Sequence, residues 1–223
     1  MNSIPCPLNP NFMKNPKIKI CGITNAEDAV KAVKLGADLL GFNFYSKSPR
    51  YISPPEAEKI IRKLPAYVDT VGLFVNADAD EIRKTARDLM LNWVQLHGDE
   101  SPGFCLSLDN LPAQVIKAIR VKDGRDIEYA KNFSTDALLL DAYHPELYGG
   151  TGQRFDWNTL PELTGHTFGR TFLAGGINPD NVVEAMSHGF YGIDICSGIE
   201  DSPGRKNHKK MEQLFKKIRS VTV

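Results

Sequence analysis

After residue 16, short apolar and β-branched runs alternate with helix-length amphipathic stretches, and the alternation continues to the C-terminus. The runs beginning at Lys17 (KIKIC), Leu39 (LLGFNF), Val68 (VDTVGLFV), Trp93 (WVQL), Gln114 (QVIKAI), Asp136 (DALLLD), Thr171 (TFLAG) and Gly192 (GIDIC) read as strands. Between them, helix-start chemistry recurs: a side-chain oxygen at the cap and a carboxylate three residues later satisfy free N–H groups. Thr24 with Glu27, Ser53 with Glu56, and Asp78 with Glu81 fit it, and Ser53-Pro54 and Asn178-Pro179 put proline at the first helical position. Helical spacing of apolar residues follows in Ala26, Val30, Val33 and Ala37, in Ala57, Ile60, Ile61 and Leu64, and in Met211, Leu214, Phe215 and Ile218. Gly36 and Gly189 stand where helices should stop.

Strands that are apolar without a break, each followed by an amphipathic helix, predict a parallel sheet buried on both faces. Eight such units in about 205 residues suit an α/β fold of the closed (β/α)8 TIM-barrel type, as a single domain. An open doubly wound sheet is the alternative, but Cys21-Gly22-Ile23-Thr24 occupies the place of its G-x-G-x-x-G fingerprint. The expected organisation is a flexible N-terminal extension over 1–16 and a catalytic barrel over 17–223. Met13, just before the first strand, is a second candidate start.

Lys plus Arg and Asp plus Glu both number 27, so no net field draws the chain toward nucleic acid or an anionic lipid surface. A small-molecule partner is expected, with no nucleic acid and no membrane. The apolar stretches around Leu39–Phe44 and Ala137–Leu140 fall far short of the roughly 20 residues of a membrane helix. The four cysteines, at 6, 21, 105 and 196, form no C-x-x-C pair and no zinc-type spacing. No metal is expected. The Asn- and Pro-rich start lacks the apolar core of a secretory signal. The expected compartment is the reducing cytoplasm.

In a barrel of this type the chemistry lies at the C-terminal ends of the strands. That rule selects Cys21, the stretch from Asn43 to Arg50, Gln95 and His97, Asp141, Gly175-Gly176, and Asp194, Cys196, Ser197 and Gly198. Gly175-Gly176 and Ser197-Gly198 stand after the seventh and eighth strands, where such barrels bind phosphate on backbone N–H groups and a helix N-terminus. Tight turns alone would also use glycines there; the two pairs in register with an eightfold count favour phosphate. Gly149-Gly150-Thr151-Gly152, in the long connection after the sixth strand, is a candidate lid and not an ATP loop, since no Gly-Lys-Ser/Thr follows.

Cys21 and Asp141 are candidates for a proton-transfer pair: a thiol needs a modest downward push to act as a base, and a carboxyl an upward one to act as an acid. A packed core thiol and a turn-capping aspartate are the plainer readings. Arg50 is a candidate bidentate clamp for a carboxylate, or else a solvated loop arginine. His97 fits a supporting or substrate-side role better than direct catalysis. Lys206, Lys209, Lys210, Lys216 and Lys217 read as the solvated face of the last helix.

Lys19-Ile20-Cys21-Gly22-Ile23-Thr24, Gly41-Phe42-Asn43-Phe44-Tyr45, Ser48-Pro49-Arg50-Tyr51-Ile52, Val94-Gln95-Leu96-His97-Gly98 and Leu139-Leu140-Asp141 together resemble the phosphoribosylanthranilate isomerases of tryptophan biosynthesis. So do Gly149-Gly150-Thr151-Gly152, Phe155-Asp156-Trp157, Leu173-Ala174-Gly175-Gly176-Ile177 and Ser197-Gly198-Ile199-Glu200, in the family's order from Lys17 onward. The resemblance implies a cofactor-free Amadori rearrangement of N-(5-phosphoribosyl)anthranilate to 1-(2-carboxyphenylamino)-1-deoxyribulose 5-phosphate, by a monomer or homodimer. It implies Cys21 as general base, Asp141 as general acid and Arg50 on the anthranilate carboxylate. The phosphosugar would sit on Gly175, Gly176, Ser197 and Gly198, with His97 nearby and Gly150 to Gly152 closing over it. Cys196 departs from the small hydroxyl residue the family commonly has there. The related histidine-pathway isomerase would call for an aspartate at position 21, and indole-3-glycerol phosphate synthase for lysines on early strands. A phosphosugar-binding sensor would have lost the acid or the base.

Overall fold

The computed structural model describes residues 15–142, 157 and 169–222. Eight parallel strands close into a barrel in sequence order: β1 (Lys17–Ile20), β2 (Leu39–Asn43), β3 (Asp69–Phe74), β4 (Trp93–Leu96), β5 (Gln114–Val121), β6 (Ala137–Ala142), β7 (Thr171–Leu173) and β8 (Gly192–Ile195). The ring is sealed by β1 pairing with β8, Lys17 beside Gly192 through Ile20 beside Ile195. Closure excludes the open doubly wound alternative. The helices are α1 (Ala26–Leu35), α2 (Pro54–Ile61), α3 (Ala79–Asp88), α4 (Pro102–Leu106), α5 (Gly124–Ala130), α6 (Val182–Ser187) and α7 (His208–Val221). A short antiparallel pair, β9 (Glu200–Ser202) with β10 (Arg205–Lys206), precedes α7. Residues 1–14 of the expected extension, and Gly150 and Gly152 of the expected lid, lie outside the described residues.

Alternate residues of each strand face the barrel axis, and their character changes along it. Leu39, Val71, Trp93, Ile116, Ala118, Ala137, Leu139, Phe172 and Ala174 form one apolar cluster, in which the Trp93 and Phe172 rings meet edge to face at 6.5 Å. Two residues further along each strand the same face carries Lys19, Gln95, Asp141 and Asp194, all buried. The opposite faces pack against the helices in a second core that includes Ile18, Ile20, Leu40, Phe42, Val94 and Leu96. The plug fills the lower barrel, so the buried polar groups gather at its C-terminal mouth.

Three local expectations are corrected. The cap of α1 is Asn25, whose side chain accepts from Asp28 N–H; Thr24 instead donates to the Gly204 carbonyl. This one-residue shift turns the helix so that Ala29 and Ala32 are buried while Val30 is exposed. Pro179 lies in the turn before α6, where Asn181 is the cap; the Asn178 side chain accepts from Asp180 N–H and holds that turn. The Ser53–Glu56 box and the Asp78 cap form as expected.

Candidate active site

Cys21 directly follows β1, and its thiol is buried against Leu73 and Val75, with Cys196 packed beside it. Below it on the same face, the Lys19 ammonium donates to Asp194 Oδ1 at 2.8 Å, both groups out of reach of solvent. Breaking a buried pair of this kind by removing one partner typically costs about 3–5 kcal/mol. The sequence reading passed over Lys19 as a site residue. Its signal is the strand itself: a lysine inside a run buried on both faces requires a carboxylate. Burial opposes the charge on Lys19, but Asp194 and Cys21 together hold the ammonium above the usual lysine range. Burial pushes Asp194 up to about 7 against the pull of Lys19, with Cys21 and Asp141 adding to the rise. The hydrogen bond from Cys196 holds the Cys21 thiol well below its ordinary range; burial works against this, and Lys19 and Lys206 assist. Cys196 is displaced upward by the same contact and by its burial.

Asp141, inward on β6, accepts the Ala142 N–H on Oδ1 at 2.8 Å. Its Oδ2 lies 3.2 Å from His97 Nε2, within ion-pair range but off the line of a hydrogen bond. Gln95 Nε2 meets His97 Nδ1 at 2.8 Å. With the amide nitrogen donating, the neutral imidazole carries its proton on Nε2, toward the carboxylate. His97 therefore lies beside the candidate acid.

Arg50 is corrected in one of its sequence readings: it is not a solvated loop arginine but buried, with Nε and Nη2 on the Glu200 carboxylate at distances from 2.7 to 3.1 Å. Glu200 also accepts from Lys206 Nζ at 2.8 Å and from Gly204 N–H at 3.2 Å. Lys206 is thus corrected as well. It sits on β10, ahead of α7, and its side chain is buried rather than part of a solvated helix face. No spacing rule exposes this, because the strap β9–β10 that folds Lys206 inward has no periodicity of its own. Replacing Arg50 with alanine is expected to cost about 3 kcal/mol, the low end for a broken buried pair because Lys206 still partners Glu200. Urea titration measures it, and an unmoved midpoint would show that the pair contributes little.

The loops after β7 and β8 form a glycine-lined pair. Gly175 and Gly176 have φ of +89° and +66°, a succession that side chains rarely adopt. A Cβ on Gly198 would lie 2.0 Å from the Ile177 carbonyl, so only glycine lets the two loops close on each other. Residues Ser197–Ile199 form a single 3-10 turn at the end of β8. Among the described residues, no cluster of three or more His, Cys, Asp or Glu could hold a metal ion. None of the helices described is long and apolar enough to cross a membrane.

A closed (β/α)8 barrel with buried titratable groups and two glycine loops at its C-terminal mouth has the general form of a barrel enzyme site. Residues 18–217 match the family model described as N-(5'phosphoribosyl)anthranilate (PRA) isomerase, and the chain belongs to that family. It is 47% identical over 208 residues to the N-(5'-phosphoribosyl)anthranilate isomerase of Citrifermentans bemidjiense, covering 93% of this chain and 98% of that one. The crystal structure of the phosphoribosyl anthranilate isomerase from Thermotoga maritima superposes with a TM-score of 0.84 at 40% identity, over 92% of this chain and all of that one. A crystal structure of phosphoribosyl anthranilate isomerase in complex with reduced 1-(o-carboxyphenylamino)-1-deoxyribulose 5-phosphate superposes with a TM-score of 0.82 at 38% identity, over 92% of this chain and 100% of that chain.

Proposed function

We propose that this chain catalyses the Amadori rearrangement of N-(5-phosphoribosyl)anthranilate to 1-(2-carboxyphenylamino)-1-deoxyribulose 5-phosphate in tryptophan biosynthesis, with the barrel over 17–223 as the catalytic domain. Asp141 gives a proton to the furanose ring oxygen as the C1–O bond breaks, leaving a protonated Schiff base at C1. Cys21, as thiolate, then removes the C2 proton, and the electrons move into the enolamine that tautomerises to the ketose. The two roles demand opposite protonation states at one mouth. What supports the reading is that Cys21 and Asp141 stand toward the C-terminal ends of different strands, each with its own partners: Cys196 and Lys19 for the thiol, His97 for the carboxyl. The phosphate belongs on Gly175, Gly176, Ser197 and Gly198, and the anthranilate carboxylate on Arg50, held stiff by Glu200. Gly150 and Gly152 belong with the loop that covers them. The compartment is the cytoplasm, and the assembly is a monomer or homodimer, a dimeric relative being the isomerase from Thermotoga maritima.

The direct test is the fluorescence decay of freshly prepared phosphoribosylanthranilate mixed with the protein. Acceleration over the spontaneous decay is expected, and its absence would remove the reading. The pH profile carries a second expectation. Because the Cys196 thiol is the largest influence lowering Cys21, Cys196→Ala should move the acidic limb of kcat/KM to higher pH. The sign follows from the base form: a higher Cys21 pKa leaves less thiolate at any pH below it. Cys196→Ser, which keeps a donor, should return the limb toward wild type. A limb that stays in place in the alanine variant would assign the effect to Lys19 instead.

A further inference from the structure

The strand register places two thiols side by side where the reaction uses one. Ile20 pairs with Ile195, and Cys21 N–H donates to the Ile195 carbonyl at 2.9 Å, so the next residues along the two strands are Cys21 and Cys196. Paired residues of neighbouring strands lie roughly 4.8 Å apart, inside the roughly 4.4–6.8 Å Cα separation of disulfides. The side chains share a face. Two residues earlier, Lys19 and Asp194 touch at 2.8 Å across the same seam, and the period of two carries that face to the cysteines. Cys196 packs against the small cluster that holds the Cys21 thiol with Leu73 and Val75, and its Sγ would lie 3.1 Å from a Cβ on Gly22, the residue after Cys21. Cys196 stands one residue past the end of β8 and is only part-buried, so it can close the remaining distance and a small oxidant can reach the pair.

We propose that Cys21 and Cys196 form a dithiol switch that a hydroperoxide closes into a Cys21–Cys196 disulfide, halting turnover until a dithiol reductant reopens it. The halting of turnover rests on Cys21 being the base; the disulfide does not. In the first step the Cys21 thiolate attacks one peroxide oxygen and the O–O bond breaks. Sulfur takes the hydroxyl as a sulfenic acid, and the leaving alkoxide takes a proton to become an alcohol, or water from hydrogen peroxide. In the second step the Cys196 sulfur attacks the Cys21 sulfur, the S–O bond breaks, and the Cys196 proton leaves with the hydroxyl as water. Two thiols lose two electrons, and one peroxide gains them. Lys19 and Lys206 are the cations beside the pair that favour the thiolate. Cys105 lacks such neighbours in balance: burial pushes its thiol up to about 11.

The test treats the reduced, full-length protein with a few equivalents of hydrogen peroxide, maps unreduced peptides by mass spectrometry and follows isomerase turnover before and after dithiothreitol. The expected result is a linked peptide pair carrying Cys21 and Cys196, turnover lower by on the order of 10² in the linked protein, and recovery on reduction. In Cys196→Ser the same treatment should give no link, a Cys21 bearing two added oxygens, and a loss that dithiothreitol does not reverse. An oxidised wild-type Cys21 without the link, or a Cys196→Ser variant that recovers as wild type does, overturns the switch and leaves the isomerase reading standing. A complete link with unchanged turnover overturns it differently, by removing Cys21 as the base.

Discussion

Cys21→Ser is expected to lower turnover by on the order of 10² or more while the protein stays folded and keeps its affinity for a substrate-like phosphate ligand. The reason is chemical. A serine hydroxyl keeps the shape of the thiol but has too high a pKa to accept the C2 proton near neutrality, even beside Lys19 and Cys196. A packed thiol with no chemical role predicts another outcome: burying a hydroxyl in place of sulfur would cost about 1–3 kcal/mol of stability, and the folded fraction would turn over normally. Single-turnover fluorescence decay together with urea titration separates the two. A folded variant that works at more than about a tenth of the wild-type rate contradicts the assignment, since a positioned base contributes at least about a hundredfold.

Asp141→Asn is the second large effect, again on the order of 10² in turnover. The amide can still accept the Ala142 N–H that Oδ1 now accepts, so the end of β6 keeps its form. It cannot deliver a proton to the ring oxygen. The measurement is kcat against binding of a ring-opened product analogue, which needs no ring-opening proton; kcat should fall while that binding holds. Near-native turnover would make His97, 3.2 Å from the carboxylate, the proton donor in its place.

Periodicity in this chain is a local property, and what depends on it was legible residue by residue. Each expected strand forms within a residue or two of its apolar run, because a run buried on both faces has one stable arrangement between sheet and helices. The cap of α1 was misread by one position because Thr24 and Asn25 both carry a capping oxygen; the winner was decided by Gly204, which takes the threonine hydroxyl. The strand-end rule located Cys21, His97, Asp141 and the two glycine pairs, since strand ends are defined along the chain.

Partnerships across the barrel were a different matter. Lys19 meets Asp194, 175 positions away, and Arg50 meets Glu200, 150 positions away; no spacing rule relates such residues. The sequence by itself determined the eightfold strand and helix order, the family and which strand ends carry titratable side chains, because these follow from short-range pattern and residue type. Only the tertiary structure decided that Arg50 is bound to Glu200, that Lys206 is buried, and that Cys196 stands against Cys21. Those outcomes depend on barrel closure, which joins β1 to β8 and withdraws charged groups from water, where each must find whichever partner the ring brings within reach.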